Sequence, residues 1–252
     1  MWSGRSSAPY GGEAEVKRLL LFDVDGTLIE TRGAGRRALR AAMLEVLGEA
    51  GMIEGHEFRG KTDPAIVREL LRGAGWDDRR IDAEMPAVWG PYLRELEAAL
   101  ATSELRPSPC PGVRVLLERL SENDRYALGL LTGNVEEGAE RKLRAAGLAG
   151  RFAIGAFGSD SERRADLPRL AARRASRHLG REFHVEDAIV IGDTPEDVRC
   201  ARACGSRAVA VATGGYDVEA LRSYRPDVVL DDLSDTEAVL AALEAVASAV
   251  AS

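Results

Sequence analysis

Lysine is nearly absent from this chain of 252 residues. It occurs only at Lys17, Lys61 and Lys142, so arginine supplies almost all of the 34 basic side chains and any chemistry that needs a lysine has three candidates. Cysteine is equally scarce. Three thiols cannot all pair, no Cys-x-x-Cys or zinc-type spacing occurs, Cys200 and Cys204 sit one helical turn apart, and Cys110 lies among prolines; this usage predicts reduced thiols in a cytoplasmic protein. His56, His178 and His184 are scattered without ligand spacing. No apolar run approaches the ~18 residues of a membrane span. Residues 1–16 are rich in Gly and Ser and lack the apolar stretch of a signal peptide, so a loose tail is expected there. Excess positive charge is missing too: the formal net charge is −7, which argues against nucleic-acid binding through a basic surface.

What is present is an ordinary globular composition, 45% hydrophobic and 30% charged, on a chain long enough for one to two domains. Short apolar runs recur at 19–23, 126–132, 152–157, 188–193, 207–213 and, more briefly, 227–230. Continuous apolar strands are buried on both faces, as in a parallel sheet. Helical patterns lie between them at 113–121, 136–146, 167–179, 196–204 and 236–250, which predicts a doubly wound, Rossmann-like α/β sheet. Residues 33–108 break the rhythm. They read as helical at 36–47, 64–72 and 86–100, hold no buried strand, and end in Arg-Pro-Ser-Pro-Cys-Pro-Gly.

Chemistry gathers at strand ends. The first run enters Asp23-Val24-Asp25-Gly26-Thr27, and a sharp turn at Gly26 can bring both carboxylates to one cleft. The bland alternative is an Asp-Gly turn with a helix cap. The fourth run ends in Gly192-Asp193-Thr194-Pro195-Glu196-Asp197. Thr194 to Asp197 make a good helix start, but capping does not explain why Asp193 ends an apolar strand. Four carboxylates at two strand ends form a hard oxygen site suited to Mg²⁺. The second run ends in Thr132-Gly133-Asn134, where a hydroxyl and backbone N–H groups suit a phosphate; Asn134 with Glu137 equally resembles a capping box.

Together these segments resemble the haloacid dehalogenase superfamily from Leu19 onward. Asp23 to Thr27 match its first motif, Thr132 its second, and Gly192 to Asp197 its fourth; residues 33–108 resemble the helical cap of phosphoglycolate-phosphatase-like members. The resemblance implies a core of residues 17–32 and 109–252 with strand order 3-2-1-4-5 and a cap of residues 33–108. It implies Mg²⁺-dependent hydrolysis of a small phosphorylated metabolite. Asp23 would be the nucleophile, Asp25 the acid and base, and Thr132 a phosphoryl contact. Asp23, the Asp25 carbonyl and Asp193 would hold the ion, with Asp197 in support. An acid at position 25 fits phosphate monoesters or a mutase; a degenerate phosphate-binding member is the non-enzymatic alternative.

One departure stands out. The family's third motif is a lysine before a helix, and the only lysine in that interval, Lys142, is expected on a solvated helix face. Arg164 fits the vacant place by spacing, with Arg163 as runner-up; an arginine there can still pair with Asp23 and phosphate. In the cap, Lys61 is placed to reach an anionic substrate, although Thr62 or Asp63 also serves as a cap for the helix at Pro64. Arg32, Arg36 and Arg37 read as a solvated helix face. A monomer or homodimer is expected, with no membrane or nucleic-acid partner.

Overall fold

The computed structural model describes residues 18–248; the expected N-terminal tail and the last residues of the final helix lie outside that range. The chain starts with β1 (Arg18–Phe22), an apolar strand whose side chains alternate between two packed layers. Leu20 and Phe22 enter one apolar cluster, Leu19 and Leu21 the other. Burying one such side chain contributes roughly 1.5–3 kcal/mol, and a strand buried on both faces belongs in the middle of a sheet. β2 (Ile29–Glu30) follows, and its antiparallel partner is β3 (Ser108–Pro109). This small ribbon brackets everything between them.

Between those strands come four helices: α1 (Ala34–Leu47), α2 (Asp63–Gly73), α3 (Asp78–Glu84) and α4 (Trp89–Ala101). They enclose an apolar cluster of their own, built from residues such as Leu39, Met43, Val67, Leu71 and Leu96. Thr62 caps α2 by accepting from the Ala65 N–H at 3.2 Å. Two details differ from the sequence reading. α3 was not expected, because its seven residues bury only Ile81 and leave almost no apolar period to detect. The helix expected from Pro86 begins at Trp89, because residues 85–88 form a tighter 3₁₀ turn around that proline.

The remainder alternates: α5 (Val113–Ser121), β4 (Tyr126–Leu131), α6 (Glu136–Ala145), β5 (Ile154–Ala156), α7 (Leu167–Leu179), β6 (Ile189–Gly192), α8 (Pro195–Ala203), β7 (Arg207–Val211), α9 (Val218–Arg222), β8 (Val228–Leu230) and α10 (Thr236–Ser248). The main sheet is parallel in the order β5-β4-β1-β6-β7-β8. This is the expected order extended by the brief sixth run, which joins at the far edge. β1 and β6 are neighbours, and both end at the same rim of the sheet. Crossovers in such sheets leave a crevice outside the carboxyl ends of the strands. Asp23 and Asp193 are the first residues beyond β1 and β6.

Candidate active site

The turn after β1 explains the Asp-x-Asp pair. Asp23 N–H donates to the Ile191 carbonyl at 2.9 Å, so it is still tied to β6. Gly26 then takes a left-handed φ of 88°, and Gly26, Leu28 and Ile29 close the loop through main-chain bonds. A Cβ at Gly26 would lie 2.4 Å from an Asp193 carboxylate oxygen, so neither the conformation nor the space admits a side chain there. The same crowding holds at Gly214, where a Cβ would come within 1.7 Å of Asp193. Asp193 is thus wedged between two glycine backbones, and it accepts from Thr27 Oγ1 at 3.0 Å.

Asp197 lies one turn into α8 and accepts from the Thr194 N–H (3.0 Å) and hydroxyl (2.6 Å), so the expected helix start is formed. Oxygens of Asp23, Asp193 and Asp197, all buried, lie within 4.8 Å of one another. One cation meets them. Arg164 Nη2 contacts Asp23 Oδ1 at 3.1 Å and also pairs with Asp197. Arg163 instead points outward, 80% exposed, near Asp166. Three carboxylates against one guanidinium leave an uncompensated buried negative charge. Burial pushes the Asp23 carboxyl up to about 7; Arg164 pulls it down, while Asp197 and Asp25 push it further up. Asp193 is raised well above the ordinary carboxyl range, by burial first and then by Asp23 and Asp197. Hard oxygen donors with surplus negative charge are a donor set that fits a divalent cation such as Mg²⁺.

Asp25 turns the other way, and here the sequence reading needs correction. Lys142 is not on a solvated face: it is 4% exposed, and its Nζ lies 3.0 and 2.7 Å from the two Asp25 oxygens. Gly138, Ala139, Lys142 and Leu143 form the buried stripe of α6, so the lysine occupies a core position. Neighbouring Arg141 and Arg144 made it look like part of a charged face. Asn134 is corrected as well. It does not cap α6, whose cap residue is Val135, and its amide is fully engaged. Asn134 Nδ2 donates to Asp25 Oδ2 (2.6 Å) and Thr132 Oγ1 (2.8 Å), and its Oδ1 accepts from Lys142. Thr31 Oγ1 completes the ring on Asp25 Oδ1 at 2.7 Å. Burial alone would raise the Asp25 carboxyl, but Lys142 with these hydrogen bonds brings it below its ordinary value. The Thr132 oxygen accepts from both the side-chain amide and the N–H of Asn134, which leaves its own proton to offer to another acceptor.

A cavity of about 480 Å³ opens above these groups, lined by Asp23, Asp25, Thr132, Gly133, Asn134, Lys142, Arg164 and Asp193 and roofed by the loop before α2. That loop rests directly on the sheet rim. Asp63 N–H donates to the Gly133 carbonyl at 2.7 Å, its carboxylate accepts from Val135 N–H at 2.9 Å, and a Cβ on Gly133 would strike the Lys61 carbonyl. Asp63 was considered only as a helix cap, yet it is half-buried across the contact, and desolvation pushes its carboxyl up to about 6 against the pull of Lys142. Lys61 lines the cavity but is paired with Glu69. Of the expected solvated face, Arg32 and Arg37 are exposed, Arg32 preceding α1 with a φ of 48°, but Arg36 is half-buried, stacks over Phe58 and donates to the Ile53 and His56 carbonyls.

These strand-end carboxylates, in this sheet order, can be set beside known proteins. A phosphoglycolate phosphatase of Synechococcus elongatus is 27% identical over 226 residues, covering 86% of this chain and 93% of that protein. Phosphoglycolate phosphatase 1 of Pseudomonas aeruginosa is 28% identical over 222 residues, covering 87% and 78%. A hydrolase of known structure from Pseudomonas syringae superposes with a TM-score of 0.65 at 23% identity, over 89% of this chain and 98% of that one, which speaks for the fold. Residues 17–205, spanning both aspartate turns and the buried arginine, match the profile of the haloacid dehalogenase-like hydrolases, and the chain belongs to that family.

Proposed function

We propose that this protein is a Mg²⁺-dependent phosphatase that hydrolyses a small phosphate monoester through an aspartyl phosphate on Asp23. One observation carries the reading: Asp23, the first residue past the central strand, shares a buried oxygen cluster with Asp193 and Asp197 while Arg164 holds its Oδ1. The names of the relatives, phosphatases over most of their length, support the substrate class.

The residues divide the work. In the first transfer an Asp23 oxygen bonds to phosphorus as the bond to the leaving alcohol oxygen breaks, and Asp25, in the fraction that carries a proton against the pull of Lys142, gives that oxygen the proton. In the second, a water oxygen bonds to phosphorus, the phosphorus–Asp23 bond breaks, and Asp25 takes the water's proton. Ester and water become alcohol and phosphate. Arg164 and the Thr132 hydroxyl hold phosphoryl oxygens, for phosphoryl transfer rests mainly on positioning and charge neutralisation. The ion would be held by the carboxylates of Asp23 and Asp193 and the main-chain carbonyl of Asp25, with Asp197 supporting. It supplies the positive charge that lets a carboxylate approach an anionic ester. Residues 33–108 act as the cap, and the loop at Gly60–Asp63 closes the cavity against water. The buried thiols Cys110, Cys200 and Cys204 and the lack, among the described residues, of a helix able to cross a membrane support work in the cytoplasm.

The test is phosphate release from a panel of sugar and small-acid phosphates with Mg²⁺ or with EDTA. Wild type turns over at least one ester with Mg²⁺ and none with EDTA, and Asp23→Asn lowers kcat on the order of 10⁴-fold or more without unfolding. Turnover by Asp23→Asn at the wild-type rate removes Asp23 as nucleophile. Conversion of a sugar phosphate to its isomer without phosphate release points to a mutase instead.

A further inference from the structure

A buried ammonium in the apolar stripe of a helix needs an explanation. The position would hold Leu or Met at lower cost, because a buried ion pair often adds nothing to stability over an apolar pair of similar volume. Lys142 has three protons to donate, and all three are placed: on Asp25 Oδ1, on Asp25 Oδ2 and on Asn134 Oδ1. Asp25 in turn accepts four hydrogen bonds, from Thr31, from Asn134 and twice from Lys142. Lys142 is the one donor that touches both carboxylate oxygens, and the one that carries a charge. A carboxylate on a rotatable side chain, gripped at both oxygens, keeps one plane and one direction.

We propose that Lys142 is a positioning residue: from α6 it fixes the orientation in which Asp25 gives and takes the proton. This rests on the phosphatase reading and adds a residue that the family resemblance did not supply. Lys142 belongs to the cavity wall, but its contacts in the structure run to Asp25 and Asn134, so its effect on the reaction passes through Asp25. Thr31 holds Oδ1 and Asn134 holds Oδ2, both as neutral donors, and Lys142 adds the one charged group that bridges the two oxygens.

A residue that acts through Asp25 leaves a specific kinetic trace. An alkyl phosphate has a poor leaving group and needs its proton during the first transfer. An aryl phosphate such as p-nitrophenyl phosphate leaves well without one. Both esters give the same aspartyl phosphate, whose hydrolysis needs Asp25 to take the water's proton. Lys142→Met is therefore expected to lower kcat on glycerol phosphate roughly 10²-fold, within the range of general acid–base contributions, with little change in KM. With p-nitrophenyl phosphate the same variant should release about one equivalent of nitrophenolate at close to the wild-type rate and then slow. The phosphorylated chain should accumulate and be visible by intact mass. Lys142→Arg, which keeps the charge, should recover part of the loss. Asp25→Asn/Lys142→Met should be no slower than Asp25→Asn alone, because a positioning residue has nothing left to position.

The double variant also guards against misfolding, since it removes both members of the ion pair and leaves no lone charge behind. Equal loss on both esters without a burst, or a Lys142→Met loss that multiplies on top of Asp25→Asn, would overturn the proposal. If wild type with Mg²⁺ turns over neither ester nor any of the sugar and small-acid phosphates, the phosphatase reading falls and this inference with it. If wild type is active and Lys142→Met matches it on both esters, only the positioning role falls.

Discussion

Arg164 and Lys142 are both buried cations on one cavity, and they sit in opposite electrostatic settings. Arg164 meets two of three clustered carboxylates, yet burial, with Asp197 and Asp25 adding to it, still pushes the Asp23 carboxyl up to about 7. Lys142 meets one, and the half-buried Asp25 falls below its ordinary value although desolvation pushes it up. The first setting has too little positive charge and fits a further cation; the second is complete in itself. On the proposed reading, ion and proton carrier would sit on separate carboxylates two residues apart, the turn at Gly26 sending one to each setting.

The largest effect should come from unbalancing the first setting. Asp193→Asn removes a carboxylate from the over-charged cluster. Activity should fall by at least the ~10²–10³-fold that follows loss of one charge-stabilising group. Stability should move the other way. Without metal the variant should unfold at the same temperature as wild type or higher, because one crowded carboxylate has gone. With Mg²⁺ at about 100 times its Kd, wild type gains about 2.7 kcal/mol, while the variant gains little. Calorimetry with and without Mg²⁺ checks both halves. An equal Mg²⁺ shift in the two proteins would place the ion elsewhere.

A smaller effect sharpens the role of the arginine. A guanidinium at a forked, two-nitrogen contact is not replaceable by lysine. At Arg164 a single nitrogen, Nη2, makes both carboxylate contacts, and the buried Nε–H has no hydrogen-bond partner among the described residues. An unsatisfied buried donor costs roughly 1–3 kcal/mol. Arg164→Lys should therefore keep activity within about tenfold and unfold no more readily than wild type. Arg164→Ala should lose on the order of 10²-fold, and it leaves Asp23 and Asp197 facing each other unpaired. Urea unfolding with steady-state kinetics decides it, and a lysine variant as inactive as the alanine one would mean that the fork itself is used.

The sequence made the over-charged setting legible and hid the balanced one, for a physical reason. Asp23, Asp193 and Arg164 each sit where a local pattern is violated or a spacing is kept: a carboxylate ending an apolar strand, a basic residue before a helix. Their meaning can be read within a few residues. Asn134 and Lys142 take theirs from Asp25, more than a hundred residues away in sequence, and Asp63 takes its from Val135, 72 residues on. Local chemistry offered Asn134 and Asp63 plausible jobs as caps and gave Lys142 a charged neighbourhood to blend into. One signal was present, the stripe of Gly138, Ala139, Leu143 and Ala146 with a lysine inside it; a helical wheel drawn for 136–146 would have placed that lysine inward. The strands were legible for the same reason as the aspartates, and α3 was not, since one buried side chain has no period.

Asp63 offers the gentlest test, because it lies between the helical insert and the Lys142 side of the cavity. Burial holds its native carboxyl at about 6, above the ordinary 3.8 of an unfolded chain. A carboxyl raised on folding binds its proton more tightly in the native state, so folding is penalised once that proton is gone. Below pH ~4 both states are protonated and nothing is lost; the penalty grows as pH rises through the native value, reaching about 3 kcal/mol above pH ~7. Asp63→Asn carries no such penalty. Its amide oxygen can still accept from Val135 N–H, and the hydroxyl of Tyr92, buried beside Asp63, can receive the new amide proton. The variant should match wild type near pH 4 and exceed it by up to about 3 kcal/mol at pH 8, a difference measurable by urea unfolding across that range. A gap that stays constant with pH would show that the Asp63 carboxylate, though half-buried, is fully compensated by Lys142, and the balanced setting would then hold two carboxylates rather than one.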